Sequence, residues 1–138
     1  MKVLGLKREE VRKKVSEGKV TIAVYGLGKI GLPLAAVFAD RGARVIGVDV
    51  NEKVVELVNS GINHIVEEPG LSELLKRNVD AGRLEATVDG VKAAKLADVI
   101  LIAVPTLVEN GKPKIDAVKD VAEEISMGIK RGDIVITE

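Results

Sequence analysis

The chain of 138 residues contains no cysteine. That excludes a disulfide framework and a thiol nucleophile within it. It carries no surplus charge either: 21 lysines and arginines stand against 21 aspartates and glutamates. Neither a nucleic-acid partner nor a membrane surface is therefore expected. No apolar run reaches the roughly 18 residues that a bilayer-spanning helix requires, and no secretory signal is visible, so a cytoplasmic location is expected. There is one histidine, His64, with no cysteine, histidine or serine partner near it in sequence. A lone histidine is a poor ligand set, so no metal site is expected, and a loop or packing role outweighs contact with a cofactor or substrate. What is present, 46% hydrophobic and 30% charged residues, is ordinary for one soluble globular domain. At this length it buries roughly two thirds of its unfolded surface.

The chain is organised around Lys19–Gly31, where an apolar run ends in Gly26-Leu27-Gly28-Lys29-Ile30-Gly31. Val20, Ile22, Ala23 and Val24 are nearly unbroken apolar residues, as in a strand buried on both faces of a parallel sheet. Ile30, Leu34, Val37 and Phe38 recur at helical spacing and predict the apolar face of the helix that follows. Strand, glycine turn and helix in this order form a dinucleotide-binding pattern. Gly26 permits the tight turn, Gly28 lets backbone approach a pyrophosphate, and Gly31 lets helix and strand pack closely. The helix N-terminus then faces the phosphates. A lone glycine pattern is weak, and the check is an acid closing the next strand. Arg44–Val48 reads as that strand and Asp49 closes it, 18 residues after Gly31. A carboxylate there accepts hydrogen bonds from ribose hydroxyls and repels a 2′-phosphate, which favours NAD over NADP. The competing role for Asp49 is a turn residue leading into the helix at Asn51.

Residues 1–18 read as a helical extension with a narrow stripe of Leu6, Val11 and Val15, expected to be a helix packed on the outside of the domain rather than an oligomer contact or a regulatory arm. The dinucleotide-binding domain spans 19–138. After the glycine loop, a helix runs to about Arg41, with Pro33 near its first turn and Gly42 as its stop. Asn51 caps a helix through Val54, Val55 and Val58, and residues 63–70 connect to a helical stripe of Leu71, Leu74, Leu75 and Val79. Leu84–Val88 reads as a short strand and Val91–Leu96 as a brief helix. Asp98–Val104 is a central buried strand, broken at Pro105-Thr106. Strand ends at a switch point bind ligands in open α/β sheets, which makes Thr106 a candidate for the nicotinamide end. Its competing role is a turn residue after proline. A polar loop over 109–113 leads to a helix over 116–130, with Val118, Val121, Ala122, Ile125 and Ile129 on one face, and to a last strand over 133–137. The alternation predicts an α/β fold of Rossmann type, a doubly wound sheet of five parallel strands in the order 3-2-1-4-5.

With these pieces placed, residues 19–138 resemble the N-terminal domain of the UDP-glucose/GDP-mannose dehydrogenase family. The likeness runs through Val24–Ala35, Val45–Asn51, Ile65–Leu71, Gly82–Leu84, Ile102–Thr106 and Ile134–Glu138, in the family's order. Within the family it lies nearest the members that oxidise UDP-N-acetyl-D-mannosamine, at Gly26–Pro33 and His64–Glu67. The resemblance implies oxidation of C6 of a nucleotide sugar from alcohol to acid, by two hydride transfers to NAD. Cofactor contacts are implied at Gly26, Leu27, Gly28, Lys29, Ile30, Gly31 and Asp49, and at Val104, Pro105 and Thr106. Lys29 stands where the family usually has tyrosine, and Leu107 where it usually has a second proline. The family's catalytic cysteine, with its lysine and asparagine helpers, belongs to a later region, as does the Ser-Thr pair that usually follows the Glu138 position. The expectation is therefore the NAD-binding part of a longer, homo-oligomeric enzyme, inactive alone, whose nucleotide-sugar substrate is held with the help of further domains. The alternative is a non-catalytic NAD-sensing Rossmann module of a transport regulator, which shares the glycine loop and the strand-end acid.

Overall fold

Five short runs, four of them rich in valine and isoleucine, align as one parallel sheet in the computed structural model, which describes residues 3–65 and 68–138. They are β1 (Thr21–Tyr25), β2 (Arg44–Val48), β3 (Leu84–Thr87), β4 (Val99–Ile102) and β7 (Ile134–Thr137), in the order β3-β2-β1-β4-β7. This is the order expected from the sequence, with β7 as the fifth parallel strand. Helices α1 (Arg8–Ser16), α2 (Gly31–Asp40), α3 (Glu52–Asn59), α4 (Leu71–Asp80), α5 (Gly90–Leu96) and α6 (Asp116–Gly128) connect or flank the strands. Val66 and Glu67, in the connection before α4, lie outside the described residues, as do Met1 and Lys2 of the N-terminal extension.

Side chains alternate across a strand, so the central strands β1, β2 and β4 each serve two cores. Ile22 and Val24 of β1 pack with Leu32, Ala35, Ala36 and Ala39 of α2, and with Val58, Leu71 and Leu75 of α3 and α4. Ala23 and Tyr25 face the other way, onto Ala93 and Ala94 of α5 and Val121 and Ile125 of α6. That double burial explains why β1 and β4 read as continuous apolar runs. Strand register brings the C-terminal ends level: Tyr25 lies opposite Val48 on one side and Ile102 on the other, and Ile102 opposite Thr137. The loops after these strands thus rise from one edge of the sheet.

Three details differ from the sequence reading. The face that α2 turns to the core is Gly31, Leu32, Ala35, Ala36 and Ala39. Of the predicted face, Leu34 and Phe38 are half-buried against the same core, while Ile30 is 59% and Val37 43% exposed. α2 is apolar nearly all round, so the large residues mark no unique stripe, and the small ones let the helix approach the sheet closely. Residues 107–114 are a hairpin rather than a plain loop, with β5 (Leu107–Glu109) antiparallel to β6 (Lys112–Lys114). Asn110 and Gly111 both have positive φ, 52° and 75°, as an Asn-Gly two-residue turn requires. Every residue of both strands is exposed, so no apolar alternation advertised them. Finally, α6 ends at Gly128 and leaves Ala122 and Ile129 exposed; its buried positions are Val121, Ile125 and Gly128.

The extension packs on the outside of the domain, with Val15 and Val3 half-buried against the first core. A Cβ on Gly42 would lie 2.8 Å from the Val15 carbonyl oxygen, which shows how closely α1 approaches the turn before β2.

One buried polar group ties this side together. Asn78 of α4 is fully buried. Its amide donates to Asp40 Oδ1 and the Leu74 carbonyl, and its oxygen accepts from Arg83 Nε. Replacing Asn78 with Ala removes these three bonds and leaves a small cavity, although Asp40 keeps Arg77 and Arg83 keeps the Ala39 carbonyl. Such a loss costs about 1–3 kcal/mol. Urea denaturation of Asn78→Ala should show a loss of that size with an unchanged slope.

Candidate functional site

At the end of β1 the chain turns through Gly26–Ile30 into α2, and its glycines answer to different demands. Gly26 has φ +99°, and a Cβ there would lie 2.6 Å from the Ala103 carbonyl oxygen of the neighbouring strand end. On Gly31 a Cβ would lie 1.6 Å from the Gly26 carbonyl oxygen, so α2 begins in contact with the turn itself. Gly28 is under neither constraint. Its φ is not positive, and a Cβ would meet nothing within 4 Å. Nothing among the described residues requires glycine at this position; the open space above it suits a group from outside.

The start of α2 is bare. No side chain caps it, and its first turn has no acidic residue. Among the described residues, the amides of Gly28, Ile30 and Gly31 donate to no protein acceptor. Free N–H groups at the positive end of a helix dipole attract an anion, a phosphate above all.

Asp49 follows β2 and reaches across to this loop. Its Oδ2 accepts from the Leu27 amide at 3.0 Å and its Oδ1 from the Asn51 amide at 3.0 Å. The turn role considered for Asp49 is therefore present. So is the role at the loop, because the bond to Leu27 locks the carboxylate beside the glycine turn. Each carboxylate oxygen keeps acceptor capacity for a further donor. Asn51 then caps α3, accepting from the Lys53 amide.

These groups open on a cleft of about 410 Å³. Of the residues singled out from the sequence, Gly26, Leu27, Gly28, Asp49, Val104 and Pro105 line it. Gly31 lies beneath the turn, and Lys29 and Ile30 are exposed on the loop beside it. Thr106 is exposed at the foot of the hairpin and does not line the cleft. A more open hollow of about 900 Å³ lies between α1 and Arg41, at the opposite end of the sheet, where strands begin and no strand-end loop reaches.

The sequence reading missed a whole wall of the cleft. Ala117, Asp120, Val121 and Glu124 of α6 line it, as does Tyr25, and so does His64, whose sequence context favours a loop or packing role away from the cofactor. The sole tyrosine, Tyr25, is fully buried and its hydroxyl donates to the Gly90 carbonyl oxygen. Burial pushes the phenol pKa far up, and the nearby Glu124 charge adds to it. Burial also raises the Glu124 carboxyl, aided by the charges of Asp120 and Asp89 and opposed by the Gly90 N–H it accepts. His64 turns a buried Nε2 inward with no partner among the described residues. Only helical spacing ties Asp120 to Glu124 in the sequence, and nothing there places that face of α6 over the end of β1.

Residues 20–138 match the model of the UDP-glucose/GDP-mannose dehydrogenase family, NAD binding domain. The chain belongs to this family. A UDP-N-acetyl-D-mannosamine dehydrogenase of Yersinia pestis is 47% identical over 119 residues, covering 86% of this chain and 27% of that protein. An NDP-N-acetyl-D-galactosaminuronic acid dehydrogenase of Ralstonia nicotianae is 44% identical over the same shares. Among solved structures, the UDP-D-ManNAc dehydrogenase of Pyrococcus horikoshii superposes with a TM-score of 0.81 at 35% identity, covering 86% of this chain and 28% of that one. A ternary complex of GDP-mannose dehydrogenase from Pseudomonas aeruginosa gives 0.79 at 37% identity, with 84% and 27% covered. The chain thus spans little more than a quarter of these relatives, and within the family it is the NAD-binding domain. The transport-regulator reading gains nothing from them. Among the described residues, no helix is long and apolar enough to cross a membrane.

Proposed function

We propose that this domain binds NAD across the cleft at the strand ends. In the full-length protein it then serves the oxidation of a nucleotide sugar at C6, with UDP-N-acetyl-D-mannosamine converted to its uronic acid. The observation that carries this reading is the pairing of Gly28 with Asp49: a glycine that only an outside group explains, beside a carboxylate held in place by the glycine loop. The residues fit the cofactor. The amides of Gly28, Ile30 and Gly31 would hold the pyrophosphate, Asp49 the adenosine ribose, and Val104 and Pro105 the cleft wall. Bound there, NAD supplies the hydride acceptor. The domain's own contribution is to orient it and to exclude the 2′-phosphorylated form by charge. Lys29 and Thr106, outside the cleft wall, would act at its rim. Relatives named for UDP-N-acetyl-D-mannosamine support the choice of sugar. The nucleotide-sugar partner, a homo-oligomeric whole protein and a cytoplasmic location belong to the same proposal.

The test is calorimetric titration with NAD and NADP. The parent should bind NAD and discriminate against NADP. Asp49→Ser should weaken NAD about tenfold or more, since a hydrogen bond to a charged partner is worth roughly 1.5–3 kcal/mol. It should narrow the preference as well. Equal affinity of the parent for both cofactors would remove the ribose role from Asp49.

A further inference from the structure

We propose that Asp120 of α6 selects adenine in the bound dinucleotide by accepting a hydrogen bond from its exocyclic amine. The inference deepens the NAD reading and rests on it. If Asp49 holds the adenosine ribose, the base on that ribose must enter the part of the cleft next to Asp49 and away from the α2 N-terminus. Apolar walls flank the cleft. Val48 ends β2 and Val50 follows it, Val104 and Pro105 follow β4, and Ala117 and Val121 belong to α6. A largely apolar cleft suits a purine ring, and the few polar groups in it set which ring it takes.

Asp120 lines the same cleft, one turn before Glu124. The two carboxylates differ in their engagements. Glu124 is packed against Gly90, so close that a Cβ on Gly90 would lie 1.8 Å from its Oε2. Asp120 makes no hydrogen bond or ion pair among the described residues and keeps its acceptor capacity. Small Ala117, one position after the start of α6, leaves room beside it. An ionised carboxylate only accepts hydrogen bonds. It welcomes the 6-amino group of adenine and repels the 6-carbonyl oxygen of hypoxanthine at the same place.

Nicotinamide hypoxanthine dinucleotide differs from NAD by that replacement and by the proton it places on N1, and leaves ribose, pyrophosphate and nicotinamide unchanged. In calorimetric titrations the parent chain should bind NAD roughly tenfold more tightly than this analogue, the effect of one charge-assisted hydrogen bond. Asp120→Asn, whose amide can accept from an amine or donate to a carbonyl, should bring the two affinities within about twofold. Asp120→Ala should do the same by weakening NAD. Asp120 is exposed, so all variants should keep the parent's circular dichroism and melting temperature. Asp49→Ser serves as the control: it should weaken both dinucleotides and leave their ratio near tenfold. Equal binding of the two by the parent, or a tenfold ratio that survives in Asp120→Asn, would overturn the role of Asp120 while the NAD site stands. Failure of the parent to bind either dinucleotide would overturn the NAD reading and this inference with it.

Discussion

Gly28→Val should abolish NAD binding and leave the fold intact. A Cβ on Gly28 touches nothing within 4 Å, and the backbone there has no positive φ, so the free protein accepts the side chain. A stability change within about 0.5 kcal/mol is expected, as for a surface substitution. The pyrophosphate, however, has to lie against backbone amides at this turn, and two methyl groups would occupy that space. Losing two hydrogen bonds to a charged group, at roughly 1.5–3 kcal/mol each, lowers affinity by more than about a hundredfold. Titration together with a thermal melt separates the outcomes. Parent-like NAD affinity in Gly28→Val would mean that no phosphate lies over this loop. Gly26 and Gly31 could not serve as the same probe, because a Cβ at either collides with backbone in the protein itself.

That contrast among three glycines marks how far the sequence could be read. Spacing alone assigned each a different task, because strand, turn and helix follow one another within a few residues and local geometry decides their roles. Asp49 was legible for a similar reason, as the acid that closes the next strand. The central strands β1 and β4 were legible because burial on both faces leaves continuous apolar runs, whereas β3 showed as a short alternation and β7 as a β-branched run at the exposed edge of the sheet. The face of α2 was not. Its apolar residues surround the helix, and only contact with the sheet shows that Ala35, Ala36 and Ala39 point inward. The hairpin at 107–114 escaped because both its strands are exposed, although Asn110-Gly111 carried the turn signal. The wall of the cleft formed by α6 escaped for another reason. Tyr25 and Glu124 are about 100 residues apart, and they meet at Gly90 only because α5 and α6 pack on the same face of the sheet. Chemistry that depends on such packing leaves no local pattern.

The second large effect concerns turnover. Purified as these 138 residues, the chain should produce no NADH from NAD and UDP-N-acetylmannosamine above the blank. Oxidising an alcohol to an acid by the route that the family resemblance implies needs a thiolate to hold the aldehyde between two hydride transfers, and the chain contains no cysteine. The sugar must also be held at near-attack distance, and orientation of that kind is worth roughly 7–11 kcal/mol of barrier. Asp120 and Glu124 are the carboxylates of α6 at the cleft, and Tyr25 is buried with its hydroxyl committed to Gly90. None of them is a nucleophile with an adjacent base. Absorbance at the NADH maximum, followed over hours with the UDP-N-acetyl-D-mannosamine dehydrogenase of Yersinia pestis as the positive control, reads this directly. Turnover by the 138 residues alone would require chemistry of another kind.

The site itself is tested most directly by titrating the isotope-labelled chain with NAD and following every backbone amide by nuclear magnetic resonance. The largest shifts should fall on Gly28, Ile30 and Gly31, whose amides await a phosphate, and on Asp49 to Asn51 and Val104 at the walls of the cleft. The amides around α1 and Arg41, at the far end of the sheet, should stay still. Shifts gathered at that far end, or no shift at saturating NAD, would contradict the assignment of the strand-end cleft as the cofactor site.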